Sequence, residues 1–492
     1  MNREAVSLAS VTEVLRAAGL IRKIHGPEDV ALHGVTQDSR DVEPGDLFLA
    51  WKGDQHDAHD FVITAADTGA VAAVVERPVA DAKIPQLQVS NGRRSAALAA
   101  DVVMGSPWKS LFTVGVTGTN GKTTTALLTR HILAGHGPTA AMGTLGLVDA
   151  DGTVRPGSEG LTTPGPVRVA EWLRELADDG VEAVAMEASS HALAQHRLDG
   201  VRFDAAIFTN LSRDHLDYHE SFEDYLSAKA RLLELVKDDG VAIVNGDDPA
   251  WADLPMSGTH TISFAIQSDA EIRGVALEPG PEGTRFRMAA DGDEYPVNLP
   301  LLGRFNVENA LAAAAAAAAA GLDLDFVAER LSQAPQLPGR MEIVIRDPFT
   351  VLIDFAHTPD ALKRVLETLR TDVAGRLIVV FGAGGDRDAT KRPLMGEAVA
   401  GLADLAIVTS DNPRTEDPDT IIDDVVAGMA ESTYERLSDR KAAIYRALDV
   451  AQAGDTVVLA GKGHESYQAI GNERLPFDER EIVREYLKGG ER

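Results

Sequence analysis

Seven consecutive residues, Gly118-Thr119-Asn120-Gly121-Lys122-Thr123-Thr124, combine two turn-forming glycines, one cation and three hydroxyls. The apolar run 111–116 precedes them and a helical pattern at 125–129 follows. Glycines let backbone N–H groups turn inward around phosphate oxygens, and a helix N-terminus adds positive potential. In that setting Lys122 would bridge β- and γ-phosphates and the Thr123 hydroxyl would reach Mg2+. Gly115 lies one residue too far from Gly121 for the common phosphate-loop spacing. Strand, loop, Lys-Thr-Thr and helix together still favour a nucleoside triphosphate over a glycine-rich turn that binds nothing. The loop alone does not separate a kinase, a motor and a ligase.

Two further positions bear on phosphate and metal chemistry. Glu187 sits just past the apolar run 181–186, and His215 follows the strand-like run 205–210. Open α/β sheets place their ligand crevice at such strand ends. Mg2+ prefers oxygen ligands, which suits Glu187, Thr123 and phosphate oxygens, whereas by residue type alone His215 reads as a structural histidine. Lys229 lies in the helical stretch 225–231, where a lysine is ordinarily a solvated surface charge. Asn306 and Asn309 precede an alanine run, and helix capping competes with a ligand role for Asn306.

Three C-terminal strands end in distinctive loops: Gly382-Ala383-Gly384-Gly385-Asp386-Arg387, Ser410-Asp411-Asn412-Pro413-Arg414 and Gly461-Lys462-Gly463-His464-Glu465. Parallel strands would deliver these loops to one sheet edge, where they can converge on a ligand. Two guanidinium groups and one carboxylate suit a zwitterion carrying an extra carboxylate, because arginine binds carboxylates through paired N–H donors. The competing reading pairs Arg414 with Glu416 or Asp417 on the surface.

These loops need a scaffold. The chain has 492 residues, beyond the size at which one core usually divides. Short apolar runs alternate with helical patterns throughout, which predicts an α/β protein with largely parallel sheets. Breaks at Gly105-Ser106-Pro107-Trp108 and Pro335-Gln336-Leu337-Pro338-Gly339-Arg340 predict three domains, at 1–109, 110–337 and 338–492. The alanine run 312–320 reads as a buried helix packed closely through small side chains.

Lys plus Arg total 47 against 76 Asp plus Glu, a net charge of −29. Such a field argues against a nucleic-acid partner. The absence of cysteine excludes disulfides, thiolate metal sites and cysteine nucleophiles. No apolar run reaches membrane-spanning length, and Met1-Asn2-Arg3-Glu4 leads into no secretory-type core, so a cytoplasmic enzyme is expected.

Thr117-Gly118-Thr119-Asn120-Gly121-Lys122-Thr123-Thr124 resembles the ATP loop of the Mur ligases and folylpolyglutamate synthases. Met186-Glu187-Ala188-Ser189-Ser190-His191, Asn210-Leu211-Ser212-Arg213-Asp214-His215-Leu216-Asp217, Asp354-Phe355-Ala356-His357-Thr358-Pro359, Gly384-Gly385-Asp386-Arg387-Asp388 and the last two C-terminal loops narrow this to the Mur ligases, in their diaminopimelate-adding form. The resemblance spans nearly the whole chain in order and is weakest at the N-terminus. It implies a UDP-binding N-terminal domain, a central P-loop ATPase-like sheet and a C-terminal Rossmann-like domain. The implied reaction phosphorylates the γ-carboxylate of UDP-MurNAc-L-Ala-D-Glu with ATP, after which an amine of meso-diaminopimelate attacks the acyl phosphate.

By that resemblance Lys122, Glu187, His215 and Lys229 are catalytic. Thr123, Glu187, His215 and a carbamylated Lys229 (N6-carboxylysine) hold Mg2+. Gly118 to Thr124, Asn306, Asn309, Arg340 and Asp354 bind ATP. Ser39, Thr162, Thr163, Ser189, Gln195 and Arg197 face the UDP-MurNAc-dipeptide. Arg387, Asp411, Asn412, Pro413, Arg414, Gly461 and Glu465 face diaminopimelate. Lysine-adding relatives lack the arginine of Asp-Asn-Pro-Arg, so Arg414 favours diaminopimelate. Asp54-Gln55-His56 departs from the family's frequent His-Gln-Ala, and Leu161 replaces a polar contact of some relatives. A monomer is implied. The alternatives are another amide ligase of this superfamily, a non-catalytic scaffold, and a mechanical ATPase. A scaffold would be expected to lose Lys122, Glu187, His215 or Lys229, and all four are present.

Overall fold

The computed structural model describes residues 5–53, 56–156, 160–212, 218–254, 258–373, 375–430 and 432–489. Among the described residues three large sheets follow one another, and their central parallel strands are β-branched and aliphatic runs buried on both faces, as parallel strands require.

The first sheet orders its strands Ile21–His25, Gln86–Val89, Ala72–Val75, Asp46–Ala50 and Gly34–Thr36, antiparallel only at the first pairing. Helices Leu8–Ala17 and Gly92–Val103 cover one face, and Val62–Thr68 the other. The first core extends into Val167 and Ala170 of helix Pro166–Asp178, so this sheet is seated on the next. Arg94 reinforces the junction with an ion pair to Asp199 at 3.1 Å.

Among the described residues the second sheet has eleven strands. Its seven central members are mutually parallel: Thr139–Gly143, Ala183–Glu187, Phe112–Thr117, Phe203–Phe208, Val236–Asn245, His260–Ala265 and Ile272–Gly280. Antiparallel strands extend both edges, ending in the ribbon Gly283–Ala290 and Asp293–Leu299. The sheet is thus largely parallel, as expected, and the ribbon is its antiparallel margin; its alternating buried and exposed residues mark a surface with one wet face. Helices Lys122–Leu133 and Arg304–Ala319 share one face. Ala312 to Ala317 are all fully buried, the close small-residue packing expected of the alanine run.

The third sheet orders Glu342–Ile345, Thr350–Asp354, Thr456–Ala460, Leu377–Phe381, Leu405–Val408 and Tyr434–Arg436, parallel after the first antiparallel pair. A short hairpin, Tyr467–Ile470 with Glu473–Pro476, lies beyond its C-terminal edge. Among the described residues no helix is long and apolar enough to cross a membrane.

Candidate active site

The phosphate loop leaves strand Phe112–Thr117 and enters helix Lys122–Leu133, whose N-cap is Gly121. Gly118 has φ +142°, and a Cβ there would fall 1.9 Å from Thr209 Oγ1. Gly121 has φ +84°, and its Cβ would fall 2.3 Å from Asn309 Oδ1. Both positions therefore require glycine. The neighbouring strand end pins the loop: Thr119 N donates to Asn210 O (2.7 Å), Asn120 N to Asn210 Oδ1 (2.9 Å), and Thr209 Oγ1 to Asn120 O (2.7 Å). Thr119 Oγ1 shares a hydrogen bond with the buried Tyr225 hydroxyl (3.0 Å). Lys122 Nζ donates to Gly118 O and Thr119 O, both at 2.9 Å, so its ammonium lies over the loop. Thr124 is buried in the first helical turn.

Glu187 ends strand Ala183–Glu187 and is 3% exposed. Its carboxylate accepts from Thr144 N (2.7 Å) and Thr144 Oγ1 (3.1 Å), and Thr123 Oγ1 lies 3.4 Å from that same hydroxyl. Thr123, Gly143 and Glu187 line one small cavity. Hydroxyl and carboxylate oxygens are the donors Mg2+ selects, with phosphates and water completing its shell. Among the described residues no group of three or more His, Asp or Glu side chains is arranged to hold a metal ion, and His215 lies outside the described residues.

Lys229 overturns its surface reading. It is 1% exposed, donates to Gly118 O at 2.7 Å, and sits 4.4 Å over the Tyr225 ring. Asn306 is the third residue of helix Arg304–Ala319 rather than its N-cap, which is Gly303. Its amide donates back to Leu302 O (2.8 Å) and accepts from Asn309 Nδ2 (3.1 Å). Asn309 in turn accepts from Thr125 Oγ1 (3.3 Å) beneath the loop.

The third sheet's segment closes over this loop. Arg340 donates to Thr123 Oγ1 at 3.0 Å and stacks over Phe355 at 4.7 Å. Burial lowers the Arg340 pKa, while the charges of Glu187 and Asp354 oppose that shift. Asp354 is 7% exposed, and burial raises its pKa against the pull of Arg340 and of hydrogen bonds from Met341 N and Ala356 N, both 2.7 Å. Asp360 adds a second bridge, its Oδ2 accepting from Asn120 Nδ2 and Ser212 Oγ at 3.1 Å each.

A polar cluster lies directly behind Glu187. Thr163 Oγ1 donates to Glu187 O (2.6 Å) and accepts from Ser189 N (3.1 Å), and Ser189 caps helix Ser190–Ala194. Arg197 donates to Thr163 O (2.7 Å) and Gln195 Oε1 (2.7 Å), and Gln195 donates to the Tyr218 hydroxyl (3.1 Å). Thr162 is half-buried beside Thr163. Half-buried Ser39 sits in the N-terminal segment whose Gln37 amide comes within 3.4 Å of the Cβ position at Gly165. Asp54 and Gln55 lie outside the described residues.

The three C-terminal loops meet as expected. Arg387 and Arg414 both pass Gly384, and Gly385 N donates to Asn412 O (2.9 Å). Arg414 adopts φ +51° and donates to Gly385 O (2.6 Å). Glu416 instead pairs with Arg392 (2.8 Å) and Asp417 caps helix Pro418–Val426, so neither is the surface partner of Arg414. The hairpin holds the Arg414 backbone: Arg414 N donates to Ala469 O (3.0 Å) and Gly471 N to Arg414 O (2.7 Å). Gly461, at φ +115°, lies against Asp411, and Pro413 carries its carbonyl onto Gly385. Glu465 accepts from Asn412 Nδ2 (2.8 Å) and Lys462 Nζ (3.1 Å).

Thr144, Asn210, Tyr225, Asp360 and Lys462 are contributors that residue types did not single out. Asn210 and Lys462 lie inside the family-like motifs 210–217 and 461–465, and Asp360 follows the Thr358-Pro359 helix start; Thr144 and Tyr225 carry no distinguishing local signal.

Nucleotide loop, strand-end carboxylate and a C-terminal segment folded back on both are the layout of ATP-dependent amide ligases, and this chain belongs to the Mur ligase family. Residues 31–102 match the family described as Mur ligase family, catalytic domain; residues 116–317 match Mur ligase middle domain; and residues 339–463 match Mur ligase, glutamate ligase domain. The UDP-N-acetylmuramoyl-L-alanyl-D-glutamate--2,6-diaminopimelate ligase of Gloeobacter violaceus is 42% identical over 464 residues, 93% of this chain and 94% of that one. The enzyme of the same name from Geobacillus thermodenitrificans is 41% identical over 473 residues, covering 94% and 95%. A solved structure of a ligase so named is 35% identical, with a TM-score of 0.71 over 99% of this chain and all of that one.

Proposed function

We propose that this chain joins meso-2,6-diaminopimelate to UDP-MurNAc-L-Ala-D-Glu in an ATP-driven step of peptidoglycan precursor synthesis. The observation that carries the reading is the Thr163 hydroxyl bonded to the main-chain oxygen of Glu187, whose side chain faces Thr123. The muramoyl-peptide cluster and the phosphate site thus share one strand end, where acceptor carboxylate and γ-phosphate can meet.

An oxygen of the D-Glu γ-carboxylate attacks the γ-phosphorus, the bond to the β–γ bridging oxygen breaks, and ADP leaves. A neutral amine of diaminopimelate then adds to the acyl carbon, loses a proton, and expels inorganic phosphate. Carboxylate is a poor electrophile, so positioning and charge neutralisation do most of the catalytic work. Lys122 and Arg340 supply cations to the phosphates, and Gly118 to Thr124 supply N–H groups. Mg2+, when bound, would offset further phosphate charge; Thr123 and Glu187 would offer it oxygen donors, with His215 and N6-carboxylysine at Lys229 added by family resemblance. Asn306 and Asn309 lie on the adenine side, and Asp354 near the ribose.

Ser39, Thr162, Thr163, Ser189, Gln195 and Arg197 hold the UDP-peptide, with residues 1–109 as its UDP-binding domain. Residues 110–337 bind ATP, and residues 338–492 bind the amino acid. Arg387 and Arg414 meet carboxylates, and Asp411, Asn412, Pro413, Gly461 and Glu465 form the remaining wall. A substrate lacking the distal carboxylate leaves an arginine unsatisfied, a mismatch that discriminates strongly. The enzyme works as a cytoplasmic monomer without nucleic-acid or membrane partners. ADP release measured with ATP and UDP-MurNAc-dipeptide, with and without diaminopimelate, tests the reading. Turnover that needs both acceptors supports it, and turnover indifferent to diaminopimelate, or equal with lysine, overturns it.

A further inference from the structure

One fully buried cation takes no part in the chemistry above. Lys462 is 0% exposed, yet its ammonium lies amid the residues assigned to the amino acid. Nζ donates to Asn412 Oδ1 and Glu465 Oε2, each at 3.1 Å, and stands 3.8 Å from Asp411 Oδ1. That Asp411 oxygen is buried and, among the described residues, accepts no hydrogen bond, and the Lys462 charge faces it. The rings of Tyr467 (5.6 Å) and Phe477 (5.9 Å) cover the ammonium.

This arrangement has two consequences. Asn412 Oδ1 receives both Lys462 Nζ and Ala469 N (2.8 Å), which fixes the amide with its Nδ2 toward Glu465. Reversing the amide would set donors against donors. Two carboxylates against one ammonium also leave the cluster a single net negative charge. Without Lys462, Asp411 and Glu465 would confront one another as like charges, and the Asn412 amide would lose a donor that orients it.

We propose that Lys462 is the positioning residue of the amino-acid pocket: it orients Asn412 and Glu465 and trims the acidic end to one charge, matched to a single substrate ammonium opposite Arg387 and Arg414. The inference rests on the diaminopimelate reading of that pocket. The test is steady-state kinetics on the full-length enzyme, varying each substrate in turn. Lys462→Met should raise the KM for diaminopimelate about tenfold or more while the KM values for ATP and UDP-peptide stay within about twofold. Lys462→Arg, which keeps the charge, should recover most of that loss. Adding Asp411→Asn to Lys462→Met restores the single net charge and should lower the diaminopimelate KM relative to Lys462→Met alone. If Lys462→Met does not fold, Lys462→Arg is read against wild type: a diaminopimelate KM raised more than the KM values for ATP and UDP-peptide supports the positioning role, and equal shifts for all three overturn it. An unchanged diaminopimelate KM, an equal rise for all three substrates, or no gain from the compensating substitution overturns the proposal. Wild-type enzyme that does not use diaminopimelate overturns the pocket reading itself, a separate and recognisable outcome.

Discussion

The Arg340 guanidinium donates to Thr123 Oγ1 at 3.0 Å although 217 residues separate them in the chain. The contact joins the segment entering the third sheet to the first helical turn after the phosphate loop. In the proposed reaction both groups would serve the ATP phosphates. Arg340→Ala is expected to lower kcat by roughly a hundredfold, the scale for losing a preorganised charge at a reacting centre. Arg340→Lys should recover little, since a point charge on a flexible stem does not reproduce a stacked fork. Measuring kcat and the KM for ATP in both variants checks this; a wild-type kcat in Arg340→Ala would refute it.

Gly118→Ala should abolish nucleotide binding while leaving a folded protein. The new methyl would meet Thr209 Oγ1, and alanine is strained at φ +142°. Calorimetric titration with ATP, alongside circular dichroism, separates loss of the site from loss of the fold.

Arg414→Ala is predicted to raise the diaminopimelate KM by on the order of a hundredfold or more, because a desolvated carboxylate loses its paired donors. The KM for ATP should barely move. Equal effects on both would remove Arg414 from the amino-acid pocket.

If Lys229 is carbamylated as proposed, the native protein carries an added CO2 on this residue, lost on acidification or on preparation under CO2-free conditions. Native mass spectrometry before and after such treatment, with activity restored by bicarbonate, is the check. Full activity of an unmodified Lys229 would dismiss the modification.

The His464 pKa is pushed down to about 3, chiefly by burial and then by the positive charge of Arg340. The unfolded chain therefore binds more protons than the folded one between about pH 3 and the ordinary histidine value near 6.5. Stability from this source is complete above that upper limit and is lost as pH falls through the window. His464→Gln should flatten the fall in Tm between about pH 6.5 and 4.5; an unchanged slope would mean that His464 is not its source.

The phosphate loop, the strands leading to it and the three C-terminal loops were legible because glycine, lysine and hydroxyl residues cluster where an apolar run stops. The alanine helix was legible for a similar reason, since small residues in a row have little use on a surface. Lys229 was not: a helical lysine carries no local mark of burial, and its position depends on Tyr225 and on Gly118, which is 111 residues away. Thr144 and Asp360 were equally hidden, since each acts through partners supplied by another part of the chain. The antiparallel ribbon Gly283–Ala290 with Asp293–Leu299 left little trace in the sequence because its alternating pattern is weaker than the continuous apolar runs that precede it.

The hairpin Tyr467–Ile470 with Glu473–Pro476 grips the Arg414 loop through main-chain atoms at Ala469 and Gly471. It serves as a jig: in the proposed function the arginine would supply the chemistry, and the ribbon sets where that arginine stands. Retooling such an enzyme for a different amino acid by exchanging the arginine alone would leave the old gauge in place. Successful swaps between relatives should therefore transplant loop and ribbon as one cassette.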